Sequence, residues 1–217
     1  MSHITLIRHG QANSAATDEK SYDQLSALGH QQAGWLGAYL SETATHHTRF
    51  YTGTLNRHRQ TASAMQTDLH PIQDERLNEL AYFTLSQLLT DQHGIPFPDD
   101  EMTFADHLPL VFSHWRDGKI EGAPETWGEF QLRTQEALKE IGLGQGPALI
   151  VTSGGFISMV MAQAMELSIP AMARLAMSIM HTSMHRMFPV AGHWSPVLFN
   201  AVPHLDIPER RMAQTHI

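Results

Sequence analysis

Ile4-Thr5-Leu6-Ile7-Arg8-His9-Gly10-Gln11 joins a short apolar run to an arginine, a histidine and a glycine. An apolar run bounded by glycine reads as a buried strand. A strand that stops there leaves its last side chains at the mouth of a sheet, where open α/β sheets bind ligands. Arg8 offers a planar fork that matches phosphate oxygens. His9 can act as a nucleophile or a base near neutral pH. Gly10 would let backbone N–H groups approach an anion closely. Together these residues describe a phosphoryl site with a histidine placed to attack.

Composition narrows the alternatives. The chain has 217 residues, enough for one large domain or a domain with an inserted cap. Its net charge of −8 argues against a nucleic-acid partner, which needs clustered Lys and Arg. With no cysteine, disulfides, thiol catalysis and thiolate metal sites are excluded. No signal peptide or membrane-length apolar run is visible, so a soluble, cytoplasmic protein is expected, with no membrane partner. The fifteen histidines, notably His46-His47, His58 and the pair His181 and His185, raise the question of a metal. No His-Glu-x-x-His motif accompanies them, and neither a metal nor a cofactor is assigned.

The opening stretch resembles the signature of the histidine phosphatase superfamily, the phosphoglycerate mutase-like proteins. Further segments share the resemblance. Tyr22-Asp23-Gln24-Leu25-Ser26-Ala27-Leu28-Gly29 followed by Gln32-Ala33 is similar to the segment that opens the family's first helix, with a packing role expected. Leu55-Asn56-Arg57-His58-Arg59-Gln60-Thr61-Ala62 is similar to its Leu-x-Arg-Ala-x-x-Thr-Ala segment, with His58 where members carry Ala. Leu77-Asn78-Glu79 is similar to its Leu-x-Glu segment. The resemblance spans residues 4–205 and is least in 84–123, where related proteins insert a cap.

The resemblance implies metal-free, cofactor-free phosphoryl transfer through a phosphohistidine on His9. Arg8 and Arg57 would hold the phosphoryl oxygens and keep His9 neutral. Glu79 would protonate the leaving oxygen and then help activate water. One departure is clear: Ser153 stands where the family has its second pocket histidine. A serine hydroxyl still donates one hydrogen bond but carries no charge, and losing a charged donor can cost on the order of a hundredfold in rate. His181 or His185, expected on the following strand region, could reach in to compensate.

The remaining pattern predicts alternating strands and helices. Strands are expected over 49–53, 71–77, 147–152, 178–190 and 193–202. Helices are expected over 26–41, from 55 onward, and over 85–89, 104–115, 125–141, 156–165 and 168–177. Ser26 is the expected N-cap of the first. Residues 11–23 read as a loop near the phosphate, where Asn13 and Ser14 could donate hydrogen bonds. Ser153-Gly154-Gly155, a glycine turn between strand and helix, is an anion-binding arrangement. Phe104, His107, Trp115 and Arg116 are cap residues without an assigned role, and 203–217 reads as a polar tail. The expected fold is a three-layer α/β/α sandwich with a mainly parallel sheet and a small helical cap over 84–123. Three functions remain open: a phosphatase acting on a small phosphate ester or phosphoprotein, a mutase, and a non-catalytic phospholigand-binding protein. The sequence does not specify the oligomeric state.

Overall fold

The computed structural model describes residues 2–13, 16–43 and 46–216. Strand β1 (Ile4–Arg8) is buried along its whole length, as its nearly unbroken apolar run requires. β4 (Ala148–Thr152) is equally buried and runs parallel to it, with Ile4 opposite Ala148 and Arg8 opposite Thr152. β2 (Arg49–Thr52) pairs with the other side of β4, and the two-residue β3 (Ile72–Gln73) closes that edge. β5 (Met184–Val190) and β6 (His193–Ala201) join antiparallel beside β1. The order is β3-β2-β4-β1-β5-β6, so the sheet is mainly parallel, as expected.

Side chains alternate across β1 and β4 and divide the core between two faces. Ile7, Leu149 and Val151 pack under α2 (Ala27–Glu42) and α3 (Asn56–Ala64). Ile4, Leu6 and Ile150 pack under α6 (Trp127–Leu143) and α7 (Gly154–Met165). This is the three-layer sandwich. A third cluster holds α4 (Tyr82–His93) and α5 (Glu101–Arg116) together through Leu85, Leu89, Val111 and Phe112. It rests on Met159 of α7 and on Met172 of α8 (Ile169–Ser178).

Several boundaries differ from the sequence expectation for local reasons. Residues 11–23 include a helical turn, α1 (Glu19–Tyr22), because Asp18 caps it by accepting from Ser21 N–H at 2.7 Å. The strand expected over 71–77 stops at Gln73, where Asp74 turns the chain into a 3-10 turn, Glu75–Leu77. The strand expected from 178 begins only at Met184. Thr182, at φ 57, breaks the extended run, and its N–H donates to Arg8 O at 3.0 Å. A capping box between Asp100 and Thr103 starts α5 earlier than expected, and Gly94 at φ 68 ends α4. Ser26 caps α2 as expected, accepting from Gly29 N–H. Residues 203–217 are not a free polar tail. Leu205 and Ala213 are buried, Gln32 Nε2 donates to Ala213 O at 2.7 Å, and His181 N–H donates to Thr215 O at 2.8 Å. No helix among the described residues is long and apolar enough to cross a membrane.

Many histidines serve the fold as neutral rings. Burial comes first among the causes that hold His3, His47 and His204 down at about 4 and His185 at about 3. The unfolded chain titrates these groups near 6.5. Below that pH it binds more protons than the folded chain, so their contribution to stability is complete above 6.5 and lost as pH falls toward 4. The melting temperature should therefore drop steadily between pH 6.5 and pH 5, above the range where carboxylates titrate. A thermal-denaturation series across that window checks this, and a flat profile would contradict it.

Candidate active site

The parallel register ends β1 and β4 at one level, so Arg8-His9 and Ser153-Gly154 leave the sheet side by side. His9 N–H extends the ladder by donating to Thr152 O at 2.9 Å. The His9 ring is buried, and its Nδ1 lies 2.7 Å from Gly10 O. A carbonyl only accepts, so Nδ1 carries the proton and Nε2 keeps its lone pair. Among the described residues Nε2 has no hydrogen-bond partner. Burial, then the charges of Arg57 and Arg8, hold the imidazole well below its ordinary pKa. It is a neutral ring with one nitrogen open.

Two arginines flank it. Arg57 sits in the first turn of α3, whose N-cap, Leu55, has no capping side chain. Asp23 caps the helix from a distance, accepting from Asn56 N–H at 2.9 Å and Arg57 N–H at 3.2 Å, and it pairs with Arg57 Nη1 at 3.1 Å. The Arg57 guanidinium also lies over the Tyr22 ring, 5.0 Å from its centroid. Arg8 Nη1 donates to Ile179 O and to His216 O, the latter at 2.6 Å. Among the described residues, Arg8 Nε and Arg57 Nε are buried without a hydrogen-bond partner. Buried cationic donors without acceptors are costly unless a ligand satisfies them, so these two N–H groups mark a place for an anion. Arg59, on another face of α3, is exposed.

Glu79 approaches from the loop after the 3-10 turn. Its Oε2 accepts from Gly155 N–H at 3.0 Å, and its Oε1 accepts from Leu80 N–H at 3.0 Å. A Cβ on residue 155 would overlap the Glu79 carboxylate, so this glycine is what admits it to the start of α7. Gly154 lines the same cavity. Gly10 does not serve as anticipated. Its N–H donates to Thr61 Oγ1 at 3.0 Å, and a Cβ there would overlap the backbone of Gly29. Its glycine is required by the contact between the β1 exit and α2.

Asn13 lines the cavity, with its amide donating to Ser21 O at 3.0 Å. Ser14 lies outside the described residues. The two proposed compensating histidines part company. His181 comes beside His9, with ring centroids 5.9 Å apart, and its Nδ1 is held by Thr215 Oγ1 at 2.9 Å. His185 does not reach the cavity. Its Nδ1 accepts from Asn200 N–H at 3.2 Å, and its Nε2 bonds Ser183 Oγ at 2.9 Å. The imidazole that meets Ser153 is instead His58, Nε2 to Oγ at 2.5 Å. Sequence reasoning named His58 only as a departure and a metal candidate. It missed Tyr22 and Asp23, because a loop aspartate near a helix start carries no signal of which helix it will cap.

These groups open into a cavity of about 430 Å³. Its floor is Arg8, His9, Arg57, Glu79, Gly154 and Gly155, and its far wall includes Tyr82, Phe83, Phe97, Phe104, Leu108 and Phe112. Among the described lining residues Arg8 and Arg57 are the only Arg or Lys, whereas the carboxylates besides Glu79 are Glu19, half-buried with Oε1 accepting from Thr84 N–H at 3.1 Å, and the exposed Asp99 and Asp100. Of the other residues singled out between 84 and 123, His107 Nδ1 bonds the Tyr82 hydroxyl at 3.0 Å, Trp115 Nε1 donates to Glu125 O at 2.7 Å, and Arg116 pairs with Asp117. Chemically, the floor can hold a tetrahedral dianion between two guanidinium groups, with a neutral imidazole nitrogen and a carboxyl group beside it.

Comparison with known proteins agrees with this geometry. The model of the histidine phosphatase superfamily (branch 1) matches residues 4–202. No curated protein matches the sequence. Among solved structures, an Entamoeba histolytica phosphoserine phosphatase mutant in complex with phosphoserine superposes with a TM-score of 0.68 at 16% identity, covering 94% of this chain and 100% of that one. Bacillus stearothermophilus YhfR gives 0.68 at 23% identity, covering 94% and 99%. The mycobacterial glucosyl-3-phosphoglycerate phosphatase with VO3 gives 0.65 at 20%, covering 93% and 100%. At these identities the structures establish the fold, and the family match spans most of the chain: it belongs to the histidine phosphatase superfamily.

Proposed function

We propose that the protein is a phosphatase that hydrolyses phosphate monoesters through a phosphohistidine on His9. The observation that carries this reading is the neutral His9 ring, with Nδ1 tied to Gly10 O and Nε2 open between two unpartnered guanidinium N–H groups. Nε2 attacks phosphorus in line while the ester P–O bond breaks. The departing oxygen takes a proton from Glu79. Water then attacks phosphorus, giving its proton to the Glu79 carboxylate as the P–N bond breaks and its electron pair returns to Nε2, which releases phosphate and restores neutral His9. Arg8 and Arg57 balance the charge of the transferring group throughout.

The cavity favours hydrolysis over mutase transfer. A mutase must hold a substrate with a second strongly anionic group. Both guanidinium groups are taken by the reacting phosphoryl, and the outer wall offers Glu19, Asp99 and Asp100. A second phosphate or a carboxylate there would meet repulsion. The aromatic wall suits an apolar or aromatic alcohol carrying a single phosphoryl group, with residues 84–123 serving as the cap that selects it.

Turnover should be strongest with aryl phosphates such as 4-nitrophenyl and 1-naphthyl phosphate, weak with 3-phosphoglycerate, and independent of any bisphosphorylated primer. It should be abolished in His9→Ala. A panel of esters and a phosphopeptide, assayed by phosphate release, tests this. Silence of the wild type across the panel would favour a binding protein instead. Gly155→Ala should push the Glu79 carboxylate aside. Alkyl esters, whose leaving oxygen needs the proton most, should lose on the order of a hundredfold in kcat. 4-Nitrophenyl phosphate should lose far less, and equal losses for both ester types would rule out Glu79 as the acid.

A further inference from the structure

The α3 helix carries an imidazole that the phosphoryl transfer above does not use. His58 is fully buried, its ring centroid lies 5.7 Å from that of His9, and its Nε2 is 2.5 Å from Ser153 Oγ. The sheet explains the meeting. Alternation places His9 after Ile7, and Ser153 after Leu149 and Val151, on the face covered by α3. Ser153 is the N-cap residue of α7, where a serine ordinarily accepts from the helix's own N–H groups. Here it makes no such bond, and Gly155 N–H is taken by Glu79. Among the described residues His58 is the sole partner of the Ser153 hydroxyl.

The direction of that hydrogen bond follows from the other ring nitrogen. His58 Nδ1 is buried without a partner, against Gly53, where there is no room for a Cβ. Orphaned buried N–H groups are rarer in folded proteins than orphaned acceptors. Nδ1 therefore keeps a lone pair, Nε2 carries the proton, and Nε2–H donates to Ser153 Oγ. The hydroxyl's own proton then has no acceptor among the described residues. Burial, with Arg57 close by, keeps the ring neutral, well below the ordinary histidine value.

We infer that His58 and Ser153 form one donor unit, in which His58 aims the Ser153 hydroxyl proton at an oxygen of the phosphoryl group bound at His9. The inference rests on the phosphoryl site proposed above. Ser153 touches the phosphoryl oxygen, and His58 is a positioning residue behind it. The unit supplies a hydrogen bond and no additional positive charge. Relative to the segments the chain resembles, the imidazole and the small side chain have changed places between the helix and the strand exit.

The test compares Ser153→Ala, His58→Ala, the double variant and His58→Gln on 4-nitrophenyl phosphate, with binding of orthovanadate and of inorganic phosphate measured in parallel. Each alanine variant should lower kcat on the order of a hundredfold with little change in KM, and should weaken vanadate more than phosphate. The double variant should be no slower than the worse single one, because both remove the same interaction. His58→Gln, whose amide can replace the Nε2 donor, should recover part of the loss. Melting temperatures identify any variant that fails to fold. If His58→Ala is one, His58→Gln and the exchange variant His58→Ala/Ser153→His carry the comparison, and both should be active. Wild-type kcat in Ser153→Ala, or losses that multiply in the double variant, would overturn the inference. Should the wild type turn over no ester, the phosphatase reading fails on its own. The pair is then judged by vanadate binding, which Ser153→Ala must weaken and His58→Ala must not weaken further in the double variant.

Discussion

The parallel pairing of β1 with β4 is the constraint on which the rest depends. With Arg8 opposite Thr152, the two strands end level, and His9 N–H still bonds Thr152 O beyond the last pair. A shift of one residue would turn His9 and Ser153 to opposite faces and separate His9 from the His58–Ser153 pair. Every other part of the site is referenced to this edge. β2 ends beside β4 and delivers α3 with Arg57 and His58. The turn before β5 is pinned to Arg8 O and delivers His181.

Two buried guanidinium groups next to a histidine would be costly if each charge stood alone. The fold offsets them unequally. Arg57 has a carboxylate, Asp23, which also caps its helix, and the face of Tyr22. Arg8 has carbonyl acceptors from Ile179 and from His216 in the final segment, together with the Tyr22 hydroxyl and the nearby Glu79 carboxylate. Neither arrangement satisfies Nε. The site is thus held ready for an anion, and burial first, then the same positive field, keeps His9 unprotonated.

Charge is distributed along the cavity as well as in its floor. Among the described lining residues the arginines are Arg8, at a strand end, and Arg57, at a helix start; the carboxylates are Glu79 beside them and Glu19, Asp99 and Asp100, and aromatic side chains make up much of the rest. Under the proposed function, polarity of this kind would orient an ester by its phosphate and leave the organic half to helices α4 and α5. Those helices have their own cluster, joined to the sandwich through α7 and α8. Their side chains can therefore vary without disturbing the β1–β4 edge.

The sequence alone determined the alternation of strands and helices, the two central strands and the residues at their ends. Uninterrupted apolar runs and glycine stops are local signals, and Arg8 and His9 sit beside such a stop, whereas Arg57 and Glu79 were legible only through the resemblance of their segments. It could not determine which groups meet across the chain. Asp23 reaches a helix thirty-odd residues on, the segment after residue 203 closes over Arg8, and Gly10 is required by a helix backbone instead of by an anion. His58 and Ser153, separated by 95 positions, become neighbours only because β2 and β4 lie side by side and α3 packs over their shared face. Periodicity tells which face a residue occupies, but strand order decides what lies across from it.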